Sequence, residues 1–197
     1  MDFSAITSLS LKEAYRGTLF DEVIEDSDYL DKLFEHRNRT QIFVLDSVDA
    51  GHSVFIDNTS GVGRNKCFYV GNPKNIDVFL WHIDGVLYKR DTKCDCALLT
   101  TKACFFVEFK VNAQNNSNEA IRENYEKATM QLSSTIKDVT NRCQATGRNI
   151  HSERDLQAFV VLNKTVPRIL SYQKSLRVKF LRENKVRLSF ENEAIID

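Results

Sequence analysis

The chain has 197 residues, of which 42% are hydrophobic, and its 27 basic side chains balance its 27 acidic ones. This length and apolar content predict one domain with a buried core. No apolar run is long enough to span a bilayer, and the first residues lack the basic start of a secretory signal, so we expect a soluble, cytoplasmic protein without membrane contact.

The five cysteines are odd in number and lack the spacing of a disulfide framework or a CxxC motif. Three of them, Cys94, Cys96 and Cys104, fall in runs predicted to be buried strands, where a thiol packs as a small apolar side chain. A zinc site at Cys94 and Cys96 would need facing His or Cys ligands, which are missing. We therefore interpret the cysteines as core residues in a reducing compartment.

The charges are distributed unevenly along the chain. Residues 1–58 carry five basic and twelve acidic side chains, whereas residues 59–197 carry twenty-two basic and fifteen acidic ones. Within residues 164–187 there are eight basic side chains and one acid, Glu183. A basic end of this kind is typical of a surface that meets a phosphate backbone, and equally of an ordinary solvated surface. We predict an acidic N-terminal part, 1–58, packed on a core formed by 59–197, as one domain overall.

The N-terminal part is predicted to contain helices followed by strands. A capping pattern begins one helix at Ser10, and a second helical stretch covers 27–36. Two β-rich runs follow at 41–45 and 52–56, joined by a turn.

Two segments lead to the centre of the chain. Residues 61–66, GVGRNK, are predicted to form a loop, and they lack the GK[ST] ending of a phosphate-binding loop. Residues 76–83 and 86–89 flank Asp84-Gly85, a two-residue turn that predicts a β-hairpin. Asp84 is a competing carboxylate for any site nearby, but it is more simply a turn residue.

Residues 93–111, KCDCALLTTKACFFVEFKV, are predicted to form two strands joined by a short turn. Because side chains alternate along a strand, the two cysteines that flank Asp95 can enter the core while Asp95 faces the other way. Glu108 and Lys110 then share one face of the second strand. If the strands pair, Asp95 and Glu108 come close enough to hold one divalent cation between their oxygens.

Asp95, twelve intervening residues and then Glu108-Phe109-Lys110 resemble the D…(D/E)xK core of the PD-(D/E)xK nuclease superfamily, over roughly residues 75 to 165. The residue before Asp95 is Cys94, where the family pattern has proline. The resemblance implies a restriction-endonuclease-like α/β fold, in which helices flank a mixed central sheet.

The resemblance also implies a set of site residues. Asp95, Glu108 and the backbone carbonyl of Phe109 would bind Mg²⁺ or Mn²⁺, and Lys110 would position the attacking water. The family often has a glutamine on the following helix, and here Gln131 occupies such a helix. An acid on an N-terminal helix frequently completes the site, and the sequence does not choose between the candidates Glu13 and Glu22.

The rest of the chain is predicted to alternate helix and strand. A polar loop leads to the longest helix, from Asn118 to about residue 141, which carries a continuous apolar stripe. Residues 142–155 are predicted to be a loop, and 156–162 a central strand beside the Glu108 strand. Residues 174–180 and 185–190 are predicted to form a terminal hairpin with basic side chains on its exposed face.

These observations predict a metal-dependent nuclease that hydrolyses phosphodiester bonds, with DNA expected ahead of RNA. Five basic residues are assigned to the nucleic-acid backbone: Arg64, Lys66, Lys174, Arg177 and Lys179. The alternative is a nuclease-like protein that no longer cuts and serves as a binding or regulatory module in a defence or repair complex. A third reading is an interaction protein whose acidic N-terminal helices dock a basic partner. A homodimer or a protein partner remains open.

Overall fold

The structure is a computed structural model that describes residues 33–88, 92–112, 117–145, 147–163 and 167–196. In that part of the chain, none of the helices combines the length and the apolar content that crossing a bilayer requires.

Ten strands and three α-helices make up the described fold. In chain order they are β1 (Phe34–Arg37), β2 (Gln41–Ser47), β3 (His52–Ile56), β4 (Phe68–Gly71), β5 (Val78–His82), β6 (Cys96–Leu99), β7 (Ala103–Lys110), α1 (Asn118–Ala145), α2 (Ile150–Glu153), β8 (Asp155–Leu162), α3 (Leu170–Asn184), β9 (Arg187–Ser189) and β10 (Glu193–Ile195). A short 3₁₀ helix, Arg64–Lys66, precedes β4.

The strands form two mixed sheets, which confirms the predicted α/β class. The larger sheet has the order β1-β5-β6-β7-β8-β9, and the smaller one has the order β10-β4-β2-β3. Within the larger sheet, β1, β5, β6 and β7 pair antiparallel, while β8 pairs parallel with β7 and with β9. A parallel pair needs a long crossover, and α1 supplies it between β7 and β8.

The larger sheet is buried on both faces, and each face has its own core. On one face, apolar side chains of the three helices, including Leu132, Ile150 and Phe180, share one core with sheet residues such as Phe106. On the other face, side chains of the smaller sheet pack against residues such as Phe105. The described helices therefore cover one face of the larger sheet and the smaller sheet covers the other. Such double coverage explains why β5, β6 and most of β7 are apolar at nearly every position.

The central predictions are confirmed with small changes at the boundaries. The strands predicted at 41–45, 52–56 and 156–162 are present as β2, β3 and β8, and the two strands of the motif are β6 and β7. The long helix is also present and continues to Ala145.

Four local predictions are wrong. Residues 34–37 form an edge strand rather than the end of a helix, because they pair with β5 from Phe34–Trp81 to Arg37–Val78. Residues 86–88 do not form a regular strand: only an isolated bridge joins Asp84 and Tyr88.

The predicted loop at 142–155 and the terminal hairpin also differ from the structure. α1 and α2 occupy much of the loop, and Asn149 caps α2 by accepting a hydrogen bond from the His151 N–H. In place of the first hairpin strand, α3 buries Leu176 and Phe180 against the helical core, and Lys185 ends it in a left-handed conformation with φ of 58°. Residues 187–189 then add a parallel strand to the sheet instead of returning beside residues 174–180.

The predicted helix that begins at Ser10 lies outside the described residues, as do the candidate acids Glu13 and Glu22.

Candidate active site

Asp95 and Glu108 lie at the same end of the β6–β7 pair. In the register of that pair, Cys96 is opposite Val107, so the next step places Asp95 across from Glu108. Asp95 sits in a bend just before β6, and its carboxylate Oδ2 accepts a hydrogen bond of 2.6 Å from the Phe109 N–H. The structure therefore brings together the two acids and the Phe109 backbone, as the sequence predicts.

The bend at Asp95 changes where its neighbours point. Cys94 packs in the helical core, whereas Cys96 packs in the core between the sheets. Both thiols are therefore buried in a core, as predicted, but on opposite sides of the sheet, because strand alternation does not continue through the bend.

Lys110 and Gln131 complete the constellation. Glu108 and Lys110 point toward the helical face of the sheet, where the Lys110 ammonium group bonds the Glu108 carboxylate. The same ammonium donates to Gln131 Oε1 on α1 at 3.0 Å. All four residues predicted to be catalytic are thus joined or adjacent.

The helix α1 also holds the segment that carries Asp95. Gln131 Nε2 donates to the Lys93 carbonyl at 3.0 Å, and Thr135 Oγ1 accepts from the Cys94 N–H at 2.8 Å. Gln131 and Thr135 lie one helical turn apart on the buried side of α1. One face of α1 therefore holds both Lys110 and the two residues that precede Asp95.

Burial dominates the electrostatics of the two acids. The Glu108 side chain is 1% exposed, and burial, reinforced by the nearby Asp95, raises its pKa well above its usual range. Burial also raises the pKa of Asp95 to about 7, against the opposing effect of the Phe109 hydrogen bond. Two such groups ionise together only if positive charge joins them.

The chemistry of the donor set fits a divalent cation. Glu108 Oε2 is buried without a hydrogen-bond partner among the described residues, while Oε1 is occupied by Lys110. An orphaned buried carboxylate oxygen is rare in folded proteins, and coordination of a cation would satisfy it. Asp95 Oδ2 bonds the Phe109 N–H, so the second carboxylate is oriented by the backbone next to Glu108.

Two further acids lie near the site. The charge of Asp84 raises the pKa of Asp95 and Glu108, and the charge of Asp46 on β2 raises that of Asp95. Asp84 keeps the predicted turn role, because its Oδ1 accepts from the Gly85 N–H at 2.9 Å, but its own N–H also donates to the Asp95 carbonyl at 3.1 Å. The sequence analysis missed Asp46, since it reaches the site only through the packing of the smaller sheet.

Arg64 and Lys66 approach the same end of the sheet. They belong to the 3₁₀ helix, in which Asn65 Nδ2 donates to Asn163 Oδ1 at 2.8 Å. Asn163 follows Leu162, which is paired with Lys110. The exposed Arg64 guanidinium lies 4.9 Å from the centre of the Tyr69 ring, while Lys66 is half-buried.

The other three basic candidates occupy α3 rather than a strand. Lys174, Arg177 and Lys179 are all exposed there, and the Arg177 guanidinium lies 5.7 Å from the centre of the Phe190 ring. The helix packs beside α1, where Gln173 Nε2 donates to the Tyr125 hydroxyl at 3.0 Å. These side chains therefore border the helical layer that also carries Gln131.

The chain matches no family model, no curated protein and no solved structure.

Proposed function

We propose that the protein is a metal-dependent nuclease that hydrolyses phosphodiester bonds, with DNA as the expected substrate and RNA as the second choice. The observation that carries this proposal is the convergence of Asp95, Glu108, Lys110 and Gln131 at one end of the β6–β7 pair. The resemblance to the PD-(D/E)xK superfamily implies the same roles for these residues.

The two carboxylates and the Phe109 carbonyl are the ligands we assign to Mg²⁺ or Mn²⁺. Hard cations prefer oxygen ligands, and one or two carboxylates suffice when a phosphate and waters supply the rest. When bound, such an ion would lower the pKa of a coordinated water and offset negative charge on the phosphate. Asp46 and Asp84 strengthen the attraction for a cation, because they place additional negative charge near Asp95.

Lys110 is the group we assign to orient the attacking water. Its ammonium contacts both Glu108 and Gln131, and these two contacts hold it beside the carboxylates. A compact ammonium in this position can also stabilise charge that develops on the phosphoryl oxygens. Gln131 acts as a positioning residue, since it bridges Lys110 and the Lys93 carbonyl.

The basic residues supply the contacts to the nucleic-acid backbone. Arg64 and Lys66 adjoin the end of β8 that is paired with Lys110, and the α3 residues Lys174, Arg177 and Lys179 offer a second exposed basic surface. Contacts of this kind bind phosphates without reading sequence.

All five cysteines are buried, which suits the reducing cytoplasm where we place the protein.

The direct test is incubation of purified protein with labelled single-stranded and double-stranded DNA and RNA, in Mg²⁺, in Mn²⁺ and in EDTA. We expect cleavage only with a divalent cation, and a loss of about 10²-fold or more for Asp95→Asn. Asp57→Asn is the matched control, because Asp57 is an exposed aspartate bonded to Arg39.

Intact substrates under every condition would contradict the nuclease assignment. Cation binding without cleavage would instead favour the alternative, a nuclease-like binding or regulatory module. Gel filtration of the same preparation would show whether the protein is a monomer or a homodimer.

A further inference from the structure

Three side chains from three strands meet between the two sheets, outside the candidate active site. Glu35 on β1 is opposite Leu80 on β5, and His82 follows two residues later on the same face of β5. His52 begins β3 in the smaller sheet. One ligand atom from each of the three residues, a carboxylate oxygen and two imidazole nitrogens, lies within 4.8 Å of the others.

The polar atoms of this cluster are poorly satisfied by the protein. His82 is 1% exposed, and its Nδ1 has no hydrogen-bond partner among the described residues. The nearby Ser53 backbone raises the pKa of His82, but this effect is smaller than the lowering caused by burial. Its Nε2 is 3.7 Å from Glu35 Oε1, which is too far for a hydrogen bond. A buried imidazole with this little support is costly unless something else binds it.

The arrangement of the other two groups leaves room for a shared ligand. The Phe55 N–H approaches Glu35 Oε2 at 3.4 Å, so Oε1 is the oxygen directed to His82. The rings of His52 and His82 meet edge to face with centres 4.5 Å apart. The two nitrogen donors and one oxygen donor thus surround a common point from both sheets.

We propose that Glu35, His52 and His82 bind a divalent transition-metal cation of the zinc class, which links the two sheets. Two histidines and one glutamate form a known type of zinc ligand set, with a fourth position left for water. Ligand atoms around a tetrahedral zinc ion are separated by about 3.4 Å, so binding would draw these groups together by about an ångström.

The site differs from the candidate active site in chemistry and in residues. Its imidazole nitrogens favour zinc, cobalt or nickel, whereas the Asp95 site offers only oxygens, which favour magnesium or manganese.

The test is titration of the metal-free protein with Zn²⁺ by calorimetry, and with Co²⁺ by visible absorption. We expect one ion at this site, a tetrahedral Co²⁺ spectrum without the charge-transfer band of a thiolate ligand, and a rise in melting temperature of about 5–10 °C at a hundredfold excess over Kd.

The main variant is His52→Gln, because His52 is only half-buried and lies outside the two hydrophobic cores. We expect it to weaken Zn²⁺ binding by more than a hundredfold, beyond the effect typical of residues that only orient a ligand.

Two control variants separate this site from its surroundings. His36→Gln removes a histidine from the same strand as Glu35, where it bonds Asp77 at 2.7 Å, and should leave Zn²⁺ affinity unchanged. Asp95→Asn should also leave Zn²⁺ affinity unchanged, so the result does not depend on the nuclease assignment. Glu35→Gln is a second ligand variant and should weaken binding as His52→Gln does.

Three outcomes would overturn the proposal. They are absence of Zn²⁺ and Co²⁺ binding to the folded wild-type protein, a thiolate band in the Co²⁺ spectrum, or a folded His52→Gln variant that binds Zn²⁺ as tightly as the wild type.

Discussion

Asp95 lies beside Glu108, one residue beyond the Cys96–Val107 end of the β6–β7 pair, and its carboxylate accepts a hydrogen bond from the N–H of Phe109, the residue that follows Glu108. Burial raises the pKa of Glu108 well above its usual range, and the nearby Asp95 carboxylate raises it further because it opposes ionisation of Glu108. A single ammonium, that of Lys110, bonds Glu108. Without a bound cation, burial therefore opposes ionisation of both carboxylates, and the stability of the protein should depend on pH.

The first prediction concerns stability and pH in EDTA. Burial raises the pKa of Asp95 from 3.8 to about 7, so between about pH 4 and pH 7 the folded protein holds a proton that the unfolded chain has released. This contribution to stability is complete below about pH 4 and is lost as the pH rises through 7. The free energy of unfolding of the wild type relative to Asp95→Asn should fall across this window, by at most about 1.4 kcal/mol per pH unit.

The comparison with Asp95→Asn is necessary because His82 acts in the opposite direction. Burial lowers the pKa of His82 to about 4, so its contribution to stability grows as the pH rises from about 4 to 6.5. Urea unfolding of both proteins should be measured at each pH, because the effect of His82 cancels in the difference between their free energies of unfolding. A wild-type minus variant difference that is flat between pH 4 and 7 would contradict the predicted protonation of Asp95.

The second prediction separates the role of Lys110 from that of the carboxylates. Lys110→Met should lower the cleavage rate by about 10²–10⁴-fold, because it removes the charge that orients the water, while Mn²⁺ binding measured by calorimetry should persist. The matched control is Lys102→Met, which removes an exposed lysine at the opposite end of β7. Loss of Mn²⁺ binding together with activity would show that Lys110 supports the metal ligands instead.

The third prediction concerns the support that α1 gives to the Asp95 segment. Thr135→Val removes the acceptor of the buried Cys94 N–H, so it should lower the free energy of unfolding by about 1–3 kcal/mol. Thr129→Val is the control, because the Thr129 hydroxyl donates to the Glu126 carbonyl within its own helix. Urea unfolding should show a change below about 0.5 kcal/mol for the control. Equal effects of the two substitutions would mean that the Cys94 bond contributes nothing specific.

The sequence was sufficient to predict the elements that carry the candidate active site. The apolar run that begins at Ala103 and ends in Glu108-Phe109-Lys110 identified β7, and the apolar stripe from residue 118 to about residue 141 identified α1. Their order then placed β8 next to β7. The positions of Glu108, Lys110 and Gln131 followed from these three elements.

Features that depend on packing between distant segments were not predictable. Residues 170–184 have a weak apolar periodicity, and only contact with α1 identifies them as a helix rather than a strand. Asp46 joins the site because the smaller sheet packs over it, and Glu35, His52 and His82 come together from three strands with no spacing in the sequence to connect them. At the bend, the Asp95 carbonyl accepts hydrogen bonds from the N–H groups of Ile83 and Asp84, a contact between segments that the sequence does not connect.

The fourth prediction concerns the 3₁₀ helix beside the end of β8. The double variant Arg64→Ala, Lys66→Ala should weaken DNA binding and reduce the slope of log K against log salt by about 1.8, since each lost phosphate contact removes about 0.9. Lys74→Ala, a change at an exposed lysine in the turn before β5, is the control for lost charge alone.

Binding should be measured by fluorescence anisotropy in Ca²⁺, so that cleavage does not interfere. Because phosphate contacts carry no sequence information, the loss should be similar for unrelated DNA sequences. An unchanged salt slope would show that the path of the nucleic acid avoids the 3₁₀ helix, and the exposed lysines and arginine of α3 would then be the surface to test.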